Sequence, residues 1–328
     1  MATEEFTIPR PTTRVSLSAI ARAVRTRQWA KNALLFAGFL FAGHLRQPLP
    51  VLWEETLRVL LAFACFCALS GATYLINDWH DIEGDRLHPL KKHRPLASGR
   101  MSLRLALMLI VFLLFLATVA ALTVWQLDPG TGPFPTTAFP LAAATYFVLT
   151  LTYSFVLKHE VIIDVLWIAV GFVLRVVAGC LAAQVRISPW IIFCTFTLAL
   201  FIALCKRRAE LLEMGENSAH TRRVLPLYSV EMLDTFIAVA AGLTITAYSL
   251  YTFLAQQSST ALSPSVRQSQ WPLLMTTIPF VVYGVFRYLF LAHSSAVGGE
   301  PEQMLKDKRM ILNVVLWALL IAALTLRR

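Results

Sequence analysis

Charge is scarce in this chain. Asp, Glu, Lys and Arg make up 15% of its 328 residues, where a soluble domain carries about 25%. Long polar stretches are scarce too: hydrophobic residues make up 57%, and mean hydropathy is +0.63. That apolar excess is too large for a water-surrounded core of this size to absorb. An ordinary soluble enzyme, a disordered chain and a coiled coil are thereby excluded. The alternation of apolar and polar residues that marks a transmembrane barrel is also lacking. An all-α polytopic membrane protein remains. No CxxC pair occurs among Cys65, Cys67, Cys180, Cys194 and Cys205, and Cys65-Phe66-Cys67 is too tight for a metal knuckle. The five read as small membrane-helix residues. Residues 1–31 are polar and basic with no early apolar run, so no secretory signal is expected.

Acidic residues are the minority sign, 19 against 29 basic, for a net charge of +10. Position explains the imbalance. Apolar blocks cover 59–77, 105–127, about 137–157, 161–183 (holding Asp164 and Arg175), 187–205, 235–255, 271–291 and 310–326, with a shorter first block over about 32–43. At about 20 residues per span, nine transmembrane helices are expected. With a cytoplasmic N-terminus, 21 Lys and Arg fall inside and five outside, and all seven lysines are inside. This is the positive-inside pattern. It accounts for the basic balance without nucleic acid. It predicts a multi-pass protein of the cytoplasmic (inner) membrane, with a basic arm over 1–31 and a single transmembrane catalytic domain over 32–328. Charged clusters follow the second and sixth segments, as two stacked four-helix halves would place them.

The stretch richest in chemistry is Asn77-Asp78-Trp79-His80-Asp81-Ile82-Glu83-Gly84-Asp85. Asp78, Asp81 and Asp85 are spaced three and four apart, as are Asn77, Asp81 and Asp85, so a helix puts their oxygens on one face. Stacked carboxylates repel unless a cation lies among them. Mg²⁺ takes oxygen ligands and is commonly held by one or two carboxylates plus substrate phosphates. Asn77, Asp78, Asp81 and Asp85 are therefore candidate metal ligands, for Mg²⁺ or Mn²⁺. A basic run from Arg86 to Arg100 follows at once. Acids for a metal beside bases for phosphate oxygens suit diphosphate chemistry. A solvated, charged helix end is the alternative that the acids alone leave open.

The acidic motif after the second segment, followed by Arg94-Pro95 and Gly99, resembles the UbiA superfamily of intramembrane prenyltransferases. Within it, residues 77–99 are similar to the signature of decaprenyl-phosphate phosphoribosyltransferases. So are Arg27-Gln28-Trp29-Ala30-Lys31-Asn32, Tyr153-Ser154 with Leu157-Lys158, Asp164 with Arg175, Lys206-Arg207 with Glu210, and Gly298-Gly299-Glu300-Pro301-Glu302. The similarity covers roughly residues 20–326. Trp79-His80 and Lys92-His93 depart from the pattern in detail. Typical superfamily members carry a second acidic motif, DxxxD, after the sixth helix. Here Lys206-Arg207-Arg208-Ala209-Glu210 stands in that place, and the three- and four-residue spacings put Lys206, Arg207 and Glu210 on one face. A basic site with one carboxylate suits a phosphate monoester and a sugar better than a second metal–diphosphate.

The resemblance implies a bundle whose active-site loops lie on the cytoplasmic face. It implies transfer of phosphoribose from 5-phosphoribose 1-diphosphate to a polyprenyl (decaprenyl) monophosphate, a precursor step for decaprenylphosphoryl arabinose and cell-wall arabinan. On this reading Asn77, Asp81 and Asp85 are catalytic and hold the metal, with Asp78 beside them. Lys92 and Arg94 bind donor phosphates. Gln28, Lys31 and Asn32 approach from the first helix, Tyr153 and Lys158 from the fourth, and Lys206, Arg207 and Glu210 from the sixth. By analogy alone, a homo-oligomer, a trimer, is expected. Two competing readings stand beside this one. An aromatic prenyltransferase using a prenyl diphosphate keeps the fold but wants the missing second DxxxD. A transporter or lipid-binding protein would place its charges nearer the bilayer midplane than the ends of helices.

Overall fold

Runs of Leu, Val, Ala and Phe offer the backbone no polar partner but itself, and in lipid that condition selects the helix. The computed structural model describes residues 16–41, 48–87, 91–214, 224–258, 273–294 and 307–326. Among these, helix is the only regular structure. A short α1 (Leu17–Ala23) leads into a 3₁₀ run, Thr26–Leu34, and α2 (Leu35–Phe41). Then come α3 (Leu49–His80), α4 (Ile82–Leu87), α5 (Leu103–Gln126), α6 (Ala138–Phe155) and α7 (Ile163–Ala183). The chain continues through α8 (Pro189–Met214), α9 (Val230–Ser258), α10 (Ile278–Ser294) and α11 (Lys308–Leu326).

Seven helices among the described residues are long and apolar enough to cross a membrane. The protein is a multi-span membrane protein. Two of the nine expected spans are not among the seven: the first apolar block is a 3₁₀ run followed by seven residues of α-helix, and the last forms α11, Lys308–Leu326, a helix that is not one of the seven. The segment Gly298–Glu302 lies outside the described residues.

The second span is longer than its uncharged run because its charges are satisfied locally. Glu55 and Arg58 are buried within α3. The Arg58 guanidinium donates to the carbonyls of Ala182 (3.1 Å) and Leu127 (3.2 Å). Those carbonyls close α7 and α5, whose last turns lack intrahelical donors and carry partial negative charge.

Two apolar cores build the bundle. The first joins α3, α5 and α6 with the end of α7, and small residues dominate it: Ala62, Ala68, Ala72, Ala106, Ala117 and Ala120 are all buried. Small side chains let helix backbones approach where lipid supplies no hydrophobic drive. The second core joins α8, α9 and α10, with Val165 of α7. Helix α7 thus takes part in both.

The closest approach is between α2 and α7. A Cβ on Gly179 would fall 1.9 Å from the Leu35 carbonyl oxygen, and one on Gly38 would fall 2.2 Å from the Cys180 sulfur. We expect Gly179→Ala to destabilise the protein by about 1–3 kcal/mol, the usual effect of overpacking. The measurement is the thermal unfolding midpoint in detergent. An unchanged midpoint would mean that the two backbones do not meet at this glycine.

Candidate active site

Helix α3 carries its polar cluster out of the apolar core without a break. Leu75 is fully buried, and three residues later Asp78 is still only 3% exposed. A buried carboxylate needs a cation or several donors. Asp78 has two cations: Arg25 Nη2 donates to its Oδ1 at 2.6 Å, and Arg94 Nη1 donates to the same oxygen at 3.0 Å. That Arg94 nitrogen also donates to Asp85 Oδ2 at 2.7 Å. One guanidinium therefore bridges the two most buried acids of the motif. Arg25 lies 4.5 Å over the Tyr74 ring, a cation–π contact that fixes its direction.

Asp81 turns the other way and is half-buried. Its Oδ2 accepts from Asn77 Nδ2 at 3.2 Å and from Lys158 Nζ at 3.3 Å. Its Oδ1 pairs with His80 Nδ1 at 2.9 Å, and the His80 ring meets Phe155 edge-on. Burial works to raise the Asp81 pKa. The His80 hydrogen bond and the Lys158 ammonium outweigh it and hold the carboxyl below the usual carboxylate range. Asp81 is thus an anion throughout the neutral range.

A second assembly faces this one across α6. Arg207, on α8, is 1% exposed. Its Nε donates to Asp164 at 2.5 Å, its Nη1 to Glu210, and its Nη2 to the Tyr153 hydroxyl at 3.3 Å. Asp164 also accepts from the Tyr228 hydroxyl at 2.7 Å, and that hydroxyl accepts the backbone N–H of Ile162. Ile162 has φ of 69° and ψ of −45°, a γ-turn closed by the Ile163 N–H to the Val161 carbonyl, and this positive φ costs a β-branched residue about 1–3 kcal/mol. Tyr228 thus holds a strained turn that aims Asp164 inward. Lys206 Nζ lies 3.7 Å from Glu210. Tyr153 and Lys158, the last residues of α6 and the turn after it, connect the Arg207 assembly to Asp81.

The remaining sequence-expected residues fall in three places. Lys92 is exposed on the loop after α4, and Gln28 and Lys31 are half-buried on the 3₁₀ run. Asn32 is 1% exposed and sits deeper. Its Oδ1 accepts from Arg175 Nε at 2.9 Å, while Arg175 Nη2 donates to the Tyr146 hydroxyl at 2.6 Å. Asp164 and Arg175, on one face of α7, serve different neighbours and not each other. Sequence reasoning did not single out Arg25, Tyr146 or Tyr228. Arg25 stands two residues before the Arg27–Asn32 motif, which was the available signal; Tyr146 and Tyr228 lie in apolar or turn contexts that give none.

A hard divalent cation suits this donor set in kind, three carboxylates and an amide within nine residues. Among the described residues, however, no three His, Cys, Asp or Glu side chains converge as metal ligands. Side-chain cations stand there: Arg94 between Asp78 and Asp85, and Lys158 against Asp81.

Comparison with known proteins fits this geometry. The model of the UbiA prenyltransferase family matches residues 33–298. The chain belongs to the UbiA prenyltransferase family. Two relatives named decaprenyl-phosphate phosphoribosyltransferase bear out the narrower resemblance. The one from Mycolicibacterium smegmatis is 31% identical over 92% of this chain and 90% of its own length. The one from Corynebacterium glutamicum is 31% identical over 90% and 83%. The fold is that of a UbiA homolog from Archaeoglobus fulgidus bound to DMAPP and Mg²⁺, with a TM-score of 0.65 and 18% identity over 93% of this chain and 96% of that one.

In this family member the Arg207–Asp164 pair is a built-in structural element. Removing one partner of a buried pair leaves an uncompensated charge and costs about 3–5 kcal/mol. We expect that loss of stability for Asp164→Asn, read as a lower midpoint of thermal unfolding in detergent. Glu210→Gln, at a half-buried position, should lower the midpoint far less. Equal losses would contradict the assignment of Asp164 as the principal counter-ion.

Proposed function

We propose that the protein transfers the 5-phosphoribosyl group from 5-phosphoribose 1-diphosphate to a polyprenyl monophosphate in the membrane. The observation that carries this reading is the end of α8. Where a second DxxxD pair would serve a second metal–diphosphate, Glu210 is held by Arg207 and flanked by Lys206, and the next acid, Glu213, is exposed one turn further on. A single fixed carboxylate accepts hydrogen bonds from sugar hydroxyls, and the lysine beside it attracts a phosphate monoester. The names of the two phosphoribosyltransferase relatives support the same donor and acceptor.

In the reaction, an oxygen of the lipid phosphate attacks C1 of the ribose. The C1–O bond to diphosphate breaks, and the electron pair leaves with the diphosphate. Direct displacement inverts C1 from α to β. The acceptor is already an anion near neutral pH, so the site's task is to neutralise and orient rather than to remove a proton. Asn77, Asp78, Asp81 and Asp85 would hold a divalent cation, Mg²⁺ or Mn²⁺, which supplies positive charge for the departing diphosphate. Lys158 keeps Asp81 ionised and oriented. Arg94 and Lys92 offer donors to phosphate oxygens, and Gln28 and Lys31 border the same end of the bundle. The excess of Lys and Arg on these connections supports a cytoplasmic face for this end.

The test is transfer of labelled phosphoribose into an organic-extractable lipid by purified protein given labelled donor, C50 polyprenyl phosphate and Mg²⁺. Label in the lipid phase is expected, abolished by EDTA and reduced at least about a hundredfold by Asp81→Ala, in line with loss of a charge-stabilising group. Absence of label, with prenylation of an aromatic acid from polyprenyl diphosphate, would refute the donor assignment.

A further inference from the structure

We propose that Arg94 is the resident counter-ion of the acidic motif and competes with the divalent cation for it. The guanidinium binds Asp78 and Asp85 while the motif holds no metal, and swings to the donor's diphosphate when the metal enters. The inference rests on the metal reading above, but not on the identity of the donor.

The geometry carries it. A single nitrogen of Arg94 lies 3.0 Å from Asp78 Oδ1 and 2.7 Å from Asp85 Oδ2. Both acids are 3% exposed, so no water relieves their mutual repulsion. Arg25 also engages the same Asp78 oxygen, at 2.6 Å. A hard cation needs those same lone pairs, so it and the Arg94 nitrogen exclude one another at this place. The residue can move. The movement is one of the side chain, which is 25% exposed; its backbone is held in the turn after Lys91–His93, where the Ser98 hydroxyl donates to the Arg94 carbonyl at 2.7 Å. Asp78, by contrast, is fixed in α3. The motif thus presents a rigid pair of carboxylates and a removable cation.

Two consequences follow. The free enzyme binds metal weakly, because the ion must first displace a charge-assisted bridge. Metal and diphosphate then favour each other's binding, since the released guanidinium finds diphosphate oxygens, and such coupling is reciprocal by linkage. Arg94 is accordingly a positioning residue for the metal as well as a contact for the donor.

The experiment reads metal binding without turnover. Mn²⁺ affinity is measured by electron paramagnetic resonance on purified protein with no donor present. Arg94→Gln is expected to bind Mn²⁺ at least about tenfold more tightly than wild type, within the usual range of such couplings. Adding Asp85→Asn should remove that gain. Arg86→Gln, which deletes an exposed charge of the neighbouring turn, should change affinity by less than about twofold, as expected for a screened surface charge. A second measurement needs no variant. Phenylglyoxal labelling of the wild type, read by peptide mass spectrometry, should increase at Arg94 when Mn²⁺ is added and fall again with inorganic diphosphate. Equal or weaker Mn²⁺ binding in Arg94→Gln, an equal gain in Arg86→Gln, or protection of Arg94 by Mn²⁺ alone would overturn the proposal. Failure of the phosphoribosyl-transfer assay with these binding results intact would instead sink only the donor assignment.

Discussion

A charge inside a membrane bundle must meet its opposite or be surrounded by oriented dipoles, and the catalytic end of this protein is arranged around that constraint. Arg207 is its clearest expression. With almost no exposure, its guanidinium joins α7 through Asp164, α6 through Tyr153 and its own helix through Glu210. Removing water strengthens each of these contacts and makes each one obligatory. Tyr228 extends the network to the start of α9 and to the strained turn at Ile162. Three helices are thus fixed relative to one another by the Arg207 side chain and the segment before α9 by Tyr228, and the half-buried carboxylate of Glu210 inherits that rigidity. Arg175 solves the same problem differently. It is held by Asn32, Tyr146 and the Gly171 carbonyl, with the Tyr146 and Phe172 rings against its face. Neutral partners suffice to seat it, and they tie α7 to the 3₁₀ run and to α6.

The acidic motif divides by burial. Asp78 and Asp85 face guanidinium groups in a dry setting, while Asp81 faces Lys158 and His80 nearer to solvent. Helical spacing alone would give the acids one shared role. The helix ends at Asp81, however: α3 stops at His80, and α4 restarts at Ile82. At this C-cap position Asp81 takes Asn77, His80 and Lys158 as partners rather than the arginines. The arrangement lets one acid remain accessible and ionised while the other two are kept neutralised in pairs.

The apolar pattern located most of the spans, though nine were expected and seven are found among the described residues. Helix α5 was expected over 105–127 and runs Leu103–Gln126; α7 was expected over 161–183 and runs Ile163–Ala183. The errors have physical causes. The expected limits of α3 stopped where charge began, yet Arg58 is absorbed by the carbonyl ends of α5 and α7, and Asp78 by two arginines. The first block contains enough apolar residues for a helix, but its glycine-mediated approach to α7 depends on Gly179, some 140 residues away, which local periodicity cannot register. The same holds at the site. The acidic motif, Lys158 and the Lys206–Glu210 face could be found from spacing and family resemblance. The pairing of Arg25 with Asp78, of Arg207 with Asp164 and of Arg175 with Asn32 could not, because each joins residues 43 to 143 positions apart.

The acids at this end explain why so many cations are needed here. Helices α3, α6 and α8 finish at this end of the bundle, with Asp78, Tyr153 and Glu210 in or near their last turns, whereas α7 and α9 begin here. A helix C-terminus carries about half a negative charge on unsatisfied carbonyls. The helix N-termini at the same end offset those charges, so it is the carboxylates of the acidic motif that make a field repelling a phosphate. On the proposed function, a site that brings a diphosphate donor and a phosphate acceptor together must reverse that field locally. Arg25, Arg94, Lys158, Lys206 and Arg207 do so, and all five are already paired with acids at this end, four of them closely. The fifth, Lys206, lies at the longest separation, 3.7 Å from Glu210, and is the most exposed of the set. A cation held loosely at the rim has the least to lose on turning to an incoming phosphate.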